Sequence, residues 1–150
     1  MRRTARDDGS AAVEFALVFP ILLLLISAII DFGRLYFEQA ALSGAAREGV
    51  RLVALGKTDG DTVAGTVSDA AGISGLRVKV EVNGVWTTLQ DDMAGGTAVS
   101  GVTIPDCTPG DAVTVVSYAT FTFWTPLPNL FGVFGGQETI GGKGVMRCGG

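Results

Sequence analysis

The chain has 150 residues, of which 47% are hydrophobic and only 17% are charged, against roughly 25% charged residues in an average soluble protein. Its net charge is −4 without a basic tail or stripe, so nucleic acid is not an expected partner, because phosphate binding needs clustered Lys and Arg. Histidine is absent, which excludes Ser-His-Asp and Cys-His nucleophiles and His-ligated metal sites within this chain. We therefore expect no cofactor, no metal and no small-molecule substrate.

Residues 10–30 form an apolar segment long enough to cross a membrane. The segment carries one charged residue, Glu14, and a bilayer core needs about 20 apolar residues in a helix. Basic residues lie mainly before it, at Arg2, Arg3 and Arg6. The positive-inside rule then predicts a single pass with a cytoplasmic N-terminus and an outward-facing C-terminal part.

Two residues are unusual in this apolar segment. Pro20 removes a backbone hydrogen bond and clashes with the carbonyl of Ala16, so we predict a helix kink at this point. Glu14 is a carboxylate inside the membrane segment, where such groups are costly and usually have a partner. The alternative is that Glu14 only reaches the headgroup layer from near the end of the helix.

The helical pattern continues beyond the apolar segment and stops at Gly56, a residue typical of helix C-termini. On one side Asp31, Arg34 and Glu38 have the spacing of charge pairs. The apolar and small residues of another side are Phe32, Leu35, Tyr36, Leu42, Ala46, Gly49, Val50 and Val53. The small residues in this half allow close packing against another element. That element can belong to the same chain or to another subunit, and the sequence leaves both alternatives open. We predict one long helix over residues 10–55, with its first half in the membrane.

Residues 56–150 have the pattern of a small, outward-facing α+β domain. A short helix is predicted at residues 61–71, with Val63, Val67 and Ala70 on one face. The predicted strands cover residues 76–82, 85–89, 112–123 and 138–148. Asn83 and Gly84 predict a tight hairpin between the first two strands, and the third strand should be central. The last strand is predicted to be an edge strand that is interrupted by two glycines, 141 and 142. One long helix followed by an antiparallel sheet indicates the α+β class.

The two cysteines, Cys107 and Cys148, both fall in the outward-facing part, where disulfides persist. We predict a bridge between them, which closes a loop of about 42 residues and stabilises the domain by up to roughly 4 kcal/mol. Two unpaired thiols are the alternative.

Two carboxylate pairs raise the question of catalysis or calcium binding: Asp91 with Asp92, and Asp106 with Asp111. Each pair lies in a Gly- or Pro-rich stretch, where Asp commonly hydrogen-bonds its own backbone. We therefore predict that these carboxylates stabilise turns, and we expect that the protein is not an enzyme. The Pro- and Gly-rich residues 124–134 are predicted to form a partner-facing apolar loop.

The start of the chain carries a recognisable motif. A short charged leader, residues 1–9, ends in Gly9, and the apolar helix that follows contains Glu14 and Phe15. This arrangement resembles a type IV prepilin processing site. More closely, it resembles the TadE-like family of minor pilins (pseudopilins) of the tight-adherence, Flp pilus assembly system. The residues that carry this resemblance are 9–18, Pro20, 31–34, 45–49 and Arg51; the C-terminal part resembles the family more loosely.

The resemblance implies a pilin-like fold and a non-enzymatic building part. A prepilin peptidase of the bacterial plasma (inner) membrane would cut after Gly9 and leave Ser10 as the new N-terminus, with Glu14 and Phe15 supporting the processing. Other pilins, the pilus assembly machinery and the lipid bilayer are the implied partners, and incorporation in the pilus is open. The residues expected to set subunit register or assembly are Glu14, Asp31, Arg34, Arg47, Glu48 and Arg51.

A second interpretation is a secreted or signal-anchored small binding domain without a pilus role. Residues 10–30 would then be an ordinary signal sequence. Residues 27–29 offer only a poor cleavage site, and Glu14 and Pro20 would be unexplained in such a segment. The combination of Gly9 with Glu14 favours the pilin-like interpretation.

Overall fold

The computed structural model describes residues 7–93, 96, 99–125 and 137–149. Two helices precede four strands: α1 (Asp7–Ala54), α2 (Gly60–Ala71), β1 (Leu76–Val82), β2 (Val85–Asp91), β3 (Ala112–Thr122) and β4 (Gln137–Arg147). These residues divide into two compact units. The first holds residues 7–34 and 123–125, and the second holds the described part of residues 35–122 together with residues 137–149. One long N-terminal helix with a small antiparallel sheet confirms the predicted α+β class.

Helix α1 has 48 residues and is continuous through Pro20. Its most apolar window has a mean hydropathy of 2.7, and none of that window is buried within the chain. Among the described residues, α1 is the one helix long and apolar enough to cross a membrane. The kink at Pro20 stays a prediction.

The four strands form one antiparallel sheet in the order β2-β1-β3-β4. Strand β3 is therefore central, as predicted. The hairpin between β1 and β2 turns at Asn83 and Gly84, which have φ angles of 52° and 79°. Positive φ at both positions is the signature of a type I′ turn, and Asn-Gly is its preferred sequence. Strand β1 alternates between buried and half-buried residues along its whole length, which matches its alternating sequence.

The core of the second unit lies between the second half of α1, helix α2 and one face of the sheet. Its members include Leu42, Ala46, Val50, Val53, Val63, Val67, Leu76, Val78, Val80, Val113 and Val115. The predicted apolar side of α1 is not covered at its beginning, where Phe32 and Tyr36 are 54% and 77% exposed. In α2, Ala71 rather than Ala70 is buried, because the buried face also includes Gly60 and Ala64 and is therefore centred closer to position 71 than to position 70.

Glycines let α1 approach strand β4 closely. A Cβ at Gly144 would lie 2.6 Å from the carbonyl oxygen of Ala46, and a Cβ at Gly142 would overlap the backbone of Leu42 and Ser43. Gly141 and Gly142 therefore do not interrupt the last strand, and β4 is continuous. The prediction of an interruption was wrong because Gly142 makes room for α1 and Gly141 makes room for the Tyr118 ring of β3. Close approach of another group is one of the reasons that strands contain Gly.

Candidate functional site

The four residues of the predicted processing site lie together in the first turns of α1. Gly9, Ser10, Glu14 and Phe15 are all exposed. Ser10 and Glu14 are four residues apart, so their side chains share one face of the helix. Phe15 stacks on Phe19 with 5.1 Å between the ring centroids. A Cβ at Gly9 would meet no atom within 4 Å, so the backbone at this glycine is open to approach.

Asp31, the first residue after the apolar segment, is the most buried carboxylate described in the first unit. Its side chain is 2% exposed. It accepts hydrogen bonds from the backbone nitrogens of Trp124 and Thr125, at 3.2 and 3.3 Å, and from the hydroxyl of Thr125. These donors follow strand β3, more than 90 residues along the chain from Asp31. Three donors compensate for the burial of this carboxylate.

Arg34 lies one turn after Asp31 and stacks on the same distant segment. Its guanidinium carbon is 4.5 Å from the centroid of the Trp124 ring, which is the geometry of a cation–π interaction. We call Asp31, Arg34, Trp124 and Thr125 the Asp31 cluster. The sequence pattern predicted charge pairing along the helix for Asp31 and Arg34, and it gave no sign of their contacts with Trp124 and Thr125.

The predicted partner-facing loop, residues 124–134, is described only at Trp124 and Thr125. Its remaining residues lie outside the described ranges. Trp124 itself is 77% exposed although one side of its ring carries Arg34.

The other three predicted assembly residues lie on the exposed side of α1 in the second unit. Arg47 and Arg51 are exposed, and Arg51 is 3.5 Å from the carboxylate of Glu48 one turn earlier. Surface pairs of this kind contribute about 0–1 kcal/mol to stability. The Arg51–Glu48 pair therefore contributes little to the stability of the fold.

The structure joins Cys107 and Cys148 in a disulfide, with 5.8 Å between the Cα atoms. This distance lies in the normal range for such bridges. Cys148 is buried, its amide donates to the carbonyl of Asp111 at 2.9 Å, and its carbonyl accepts from Gly110 at 3.1 Å. The bridge thus ties the end of β4 to the turn that precedes β3.

The predicted turn role is seen for Asp111 but is wrong for Asp91, which ends strand β2 and makes an ion pair there. Asp111 accepts hydrogen bonds from the Thr108 hydroxyl and the Asn83 amide, and the Thr108 hydrogen bond lowers the pKa of Asp111 below its ordinary value. Asp91 lies 2.9 Å from Arg77 on the neighbouring strand. Within the described ranges, no three His, Cys, Asp or Glu side chains are grouped as metal ligands.

Removal of the disulfide should weaken the second unit. We expect the double variant Cys107→Ser/Cys148→Ser to lose about 2–4 kcal/mol of unfolding free energy, because the unfolded chain regains the freedom of the closed loop. Denaturant unfolding of the full chain in detergent micelles measures this loss. Thiol labelling with and without reductant is the companion experiment, and equal labelling in both conditions would contradict the bridge.

Comparison with known proteins gives one match. Residues 9–51 match the family model described as TadE-like protein, which confirms the resemblance predicted for this segment. The matched residues include the predicted processing site, Asp31 and Arg34, and they end at Arg51. No curated protein and no solved structure matches the chain.

Proposed function

From the TadE-like match of residues 9–51, we propose that this chain is a minor pilin-like membrane protein that takes part in assembly of a tight-adherence, Flp-type pilus. The observation that carries the proposal is the exposed set Gly9, Ser10 and Glu14 at the start of an apolar helix of membrane-spanning length. In this proposal a prepilin peptidase cuts after Gly9. The role is structural rather than catalytic.

The apolar half of α1 supports insertion in the bacterial plasma membrane. Its large side chains, including Leu17, Ile21 and Leu25, are exposed to the surroundings rather than packed within the chain. In water such a surface would be strongly unfavourable, whereas hydrocarbon solvates it. The excess of arginines before the segment supports a cytoplasmic leader and an outward-facing C-terminal part.

Cleavage after Gly9 requires access to a backbone that α1 holds in helical form. Glycine makes this opening easier, because Gly in a helix is roughly 0.5–1 kcal/mol less stable than Ala. The missing side chain also leaves the peptide bond uncovered, since among the described residues no atom beyond the adjacent helix backbone lies within 4 Å of the position that a Cβ would take at Gly9.

Processing would create a charge that Glu14 can neutralise. The new α-ammonium of Ser10 would lie at the N-terminus of a helix, where the helix dipole disfavours a cation. Glu14 of an adjacent, axially shifted subunit can pair with this ammonium in the low-dielectric layer, where an unpaired charge is costly. Such a pair would set the register between subunits. The exposed Arg47 and Arg51 and the half-buried Glu48 would make lateral contacts with other pilins or the assembly machinery.

The direct test is the N-terminal sequence and intact mass of the protein from membranes, with the prepilin peptidase present and absent. We expect a start at Ser10 that depends on the peptidase. A start near residues 28–31 would instead identify a signal peptide and a secreted domain, and an uncut Met1 would contradict the processing.

A matched pair of variants sharpens this test. Gly9→Val should block cleavage, because a branched side chain covers the peptide bond that must be cut. Ala11→Val adds two methyl groups to the same exposed helix end and should still be cleaved. Equal cleavage of both variants would show that the peptidase does not recognise the residue at position 9.

A further inference from the structure

We propose that the Asp31 cluster is an interfacial membrane anchor, in which the exposed Trp124 ring and the neighbouring Phe32 insert in the outer phospholipid headgroup layer. The inference rests on the proposed membrane insertion of α1. It adds a second membrane contact, made by a segment that lies far from α1 in the sequence.

The position of the cluster along α1 supports this assignment. Residues 10–30 span about 30 Å at 1.5 Å per residue, which equals the thickness of a bilayer hydrocarbon core. Asp31 follows this segment directly and therefore falls at the outer boundary of the hydrocarbon. Because Asp31 accepts hydrogen bonds from the backbone of Trp124 and Thr125, these two residues lie at the same depth.

The exposed side chains at this depth are those that favour a membrane interface. Trp124 is mostly exposed, as are Phe32 and, one residue before Asp31, Ile30. Trp is enriched at membrane–water interfaces because its ring is apolar and its indole N–H is a hydrogen-bond donor. An aromatic ring exposed directly beside an apolar membrane segment is thus explained by lipid contact.

The charges of the cluster complement a phosphate layer. Asp31 is enclosed by three donors, so its negative charge is shielded from the lipid phosphates. Arg34 is half-buried against the Trp124 ring, so its positive charge lies at the headgroup level, where it attracts lipid phosphates while its stem stays on apolar surface. This combination of a shielded acid, a cation and an aromatic ring favours a phospholipid surface as the binding partner of the cluster.

Depth-dependent fluorescence quenching tests the proposal on the full chain. The chain has two tryptophans, so Trp86→Phe leaves Trp124 as the only one. The protein is reconstituted in phosphatidylcholine–phosphatidylglycerol vesicles that carry a quencher either at the headgroup or near the acyl-chain end. We expect the headgroup quencher to remove most of the Trp124 emission, and the deep quencher to remove much less.

A second variant separates failure of the anchor from failure of membrane insertion. Leu22→Trp, in a chain without Trp86 and Trp124, places the reporter near the middle of the apolar segment and should show the opposite order of quenching. If this reporter is quenched from the deep position while Trp124 is quenched by neither probe, the anchor is wrong and insertion stands. Stronger quenching of Trp124 from the deep position also overturns an interfacial location. If neither reporter is quenched, both the insertion and the anchor are wrong.

Discussion

Substitution of Gly142 by Ala should destabilise the second unit by about 4 kcal/mol or more, a loss at the upper end for single substitutions. The added Cβ would overlap the backbone of Leu42 and Ser43 in α1. Backbone atoms cannot rotate away as a flexible side chain can, so helix and strand would have to separate. Their separation would also break the hydrogen bond that the Ser117 hydroxyl donates to the carbonyl of Leu42, 3.0 Å long and fully buried. Denaturant unfolding of the full chain in detergent micelles measures the effect.

The chain offers matched controls for this substitution. Gly44 and Gly65 lie in α1 and α2, and an added Cβ at either would meet nothing within 4 Å. In both helices Gly→Ala should raise the unfolding free energy by roughly 0.5–1 kcal/mol, because Ala is the better helix former. The same chemical change therefore has opposite signs in the strand and in the helices. A Gly142→Ala variant as stable as the parent would show that α1 does not lie across β4 as described.

Substitution of Glu14 by Gln should reduce pilus assembly by about a hundredfold or more. Removal of one partner from a poorly solvated ion pair costs about 3–5 kcal/mol, since the Ser10 ammonium of the neighbouring subunit would be left without its counter-charge. Membrane insertion should persist, because the substitution removes the only charge of the apolar segment and so makes that segment less polar. Immunoblots of sheared filaments and of washed membranes measure assembly and insertion separately.

Two further variants control for the loss of a charge as such. Glu14→Asp keeps the carboxylate and should retain part of the assembly. Glu81→Gln removes one negative charge from strand β1, which is remote in sequence from the processing site, and should assemble normally. Normal filament levels with Glu14→Gln would refute the register role of this residue. Peptidase processing is tested separately, by the N-terminal sequence of the protein from membranes.

The candidate site could be predicted in part from the sequence, because its first half is local. Gly9, Ser10, Glu14 and Phe15 belong to one short motif, and a helix brings residues at this spacing together without help from the rest of the chain. Asp31 was singled out by its charge-pair spacing with Arg34 and by the family resemblance. Its partners, Trp124 and Thr125, carry no signal of their own, since neither residue type nor spacing connects them with Asp31.

The distribution of exposed residues on α1 shows the same limit. Helical periodicity placed Leu42, Ala46, Val50 and Val53 on one side of α1, and the structure buries all four in the core. Tyr36 was placed on the same side, yet it is exposed. Periodicity states which residues share a face. It does not state how far along the helix another element covers that face.

The elements that could be read from the chain alone are those whose physics is local: the apolar helix, the alternating strand β1 and the Asn83–Gly84 hairpin. Each depends on a hydrophobic period or a turn conformation that neighbouring residues specify. The folded arrangement was needed to show why β4 contains glycines, where Asp31 finds its donors and how Cys148 meets Cys107. These contacts join residues that lie between about 40 and 100 positions apart. Their formation depends on which surfaces the folded chain packs together, and that choice follows from packing over the whole unit rather than from any local pattern.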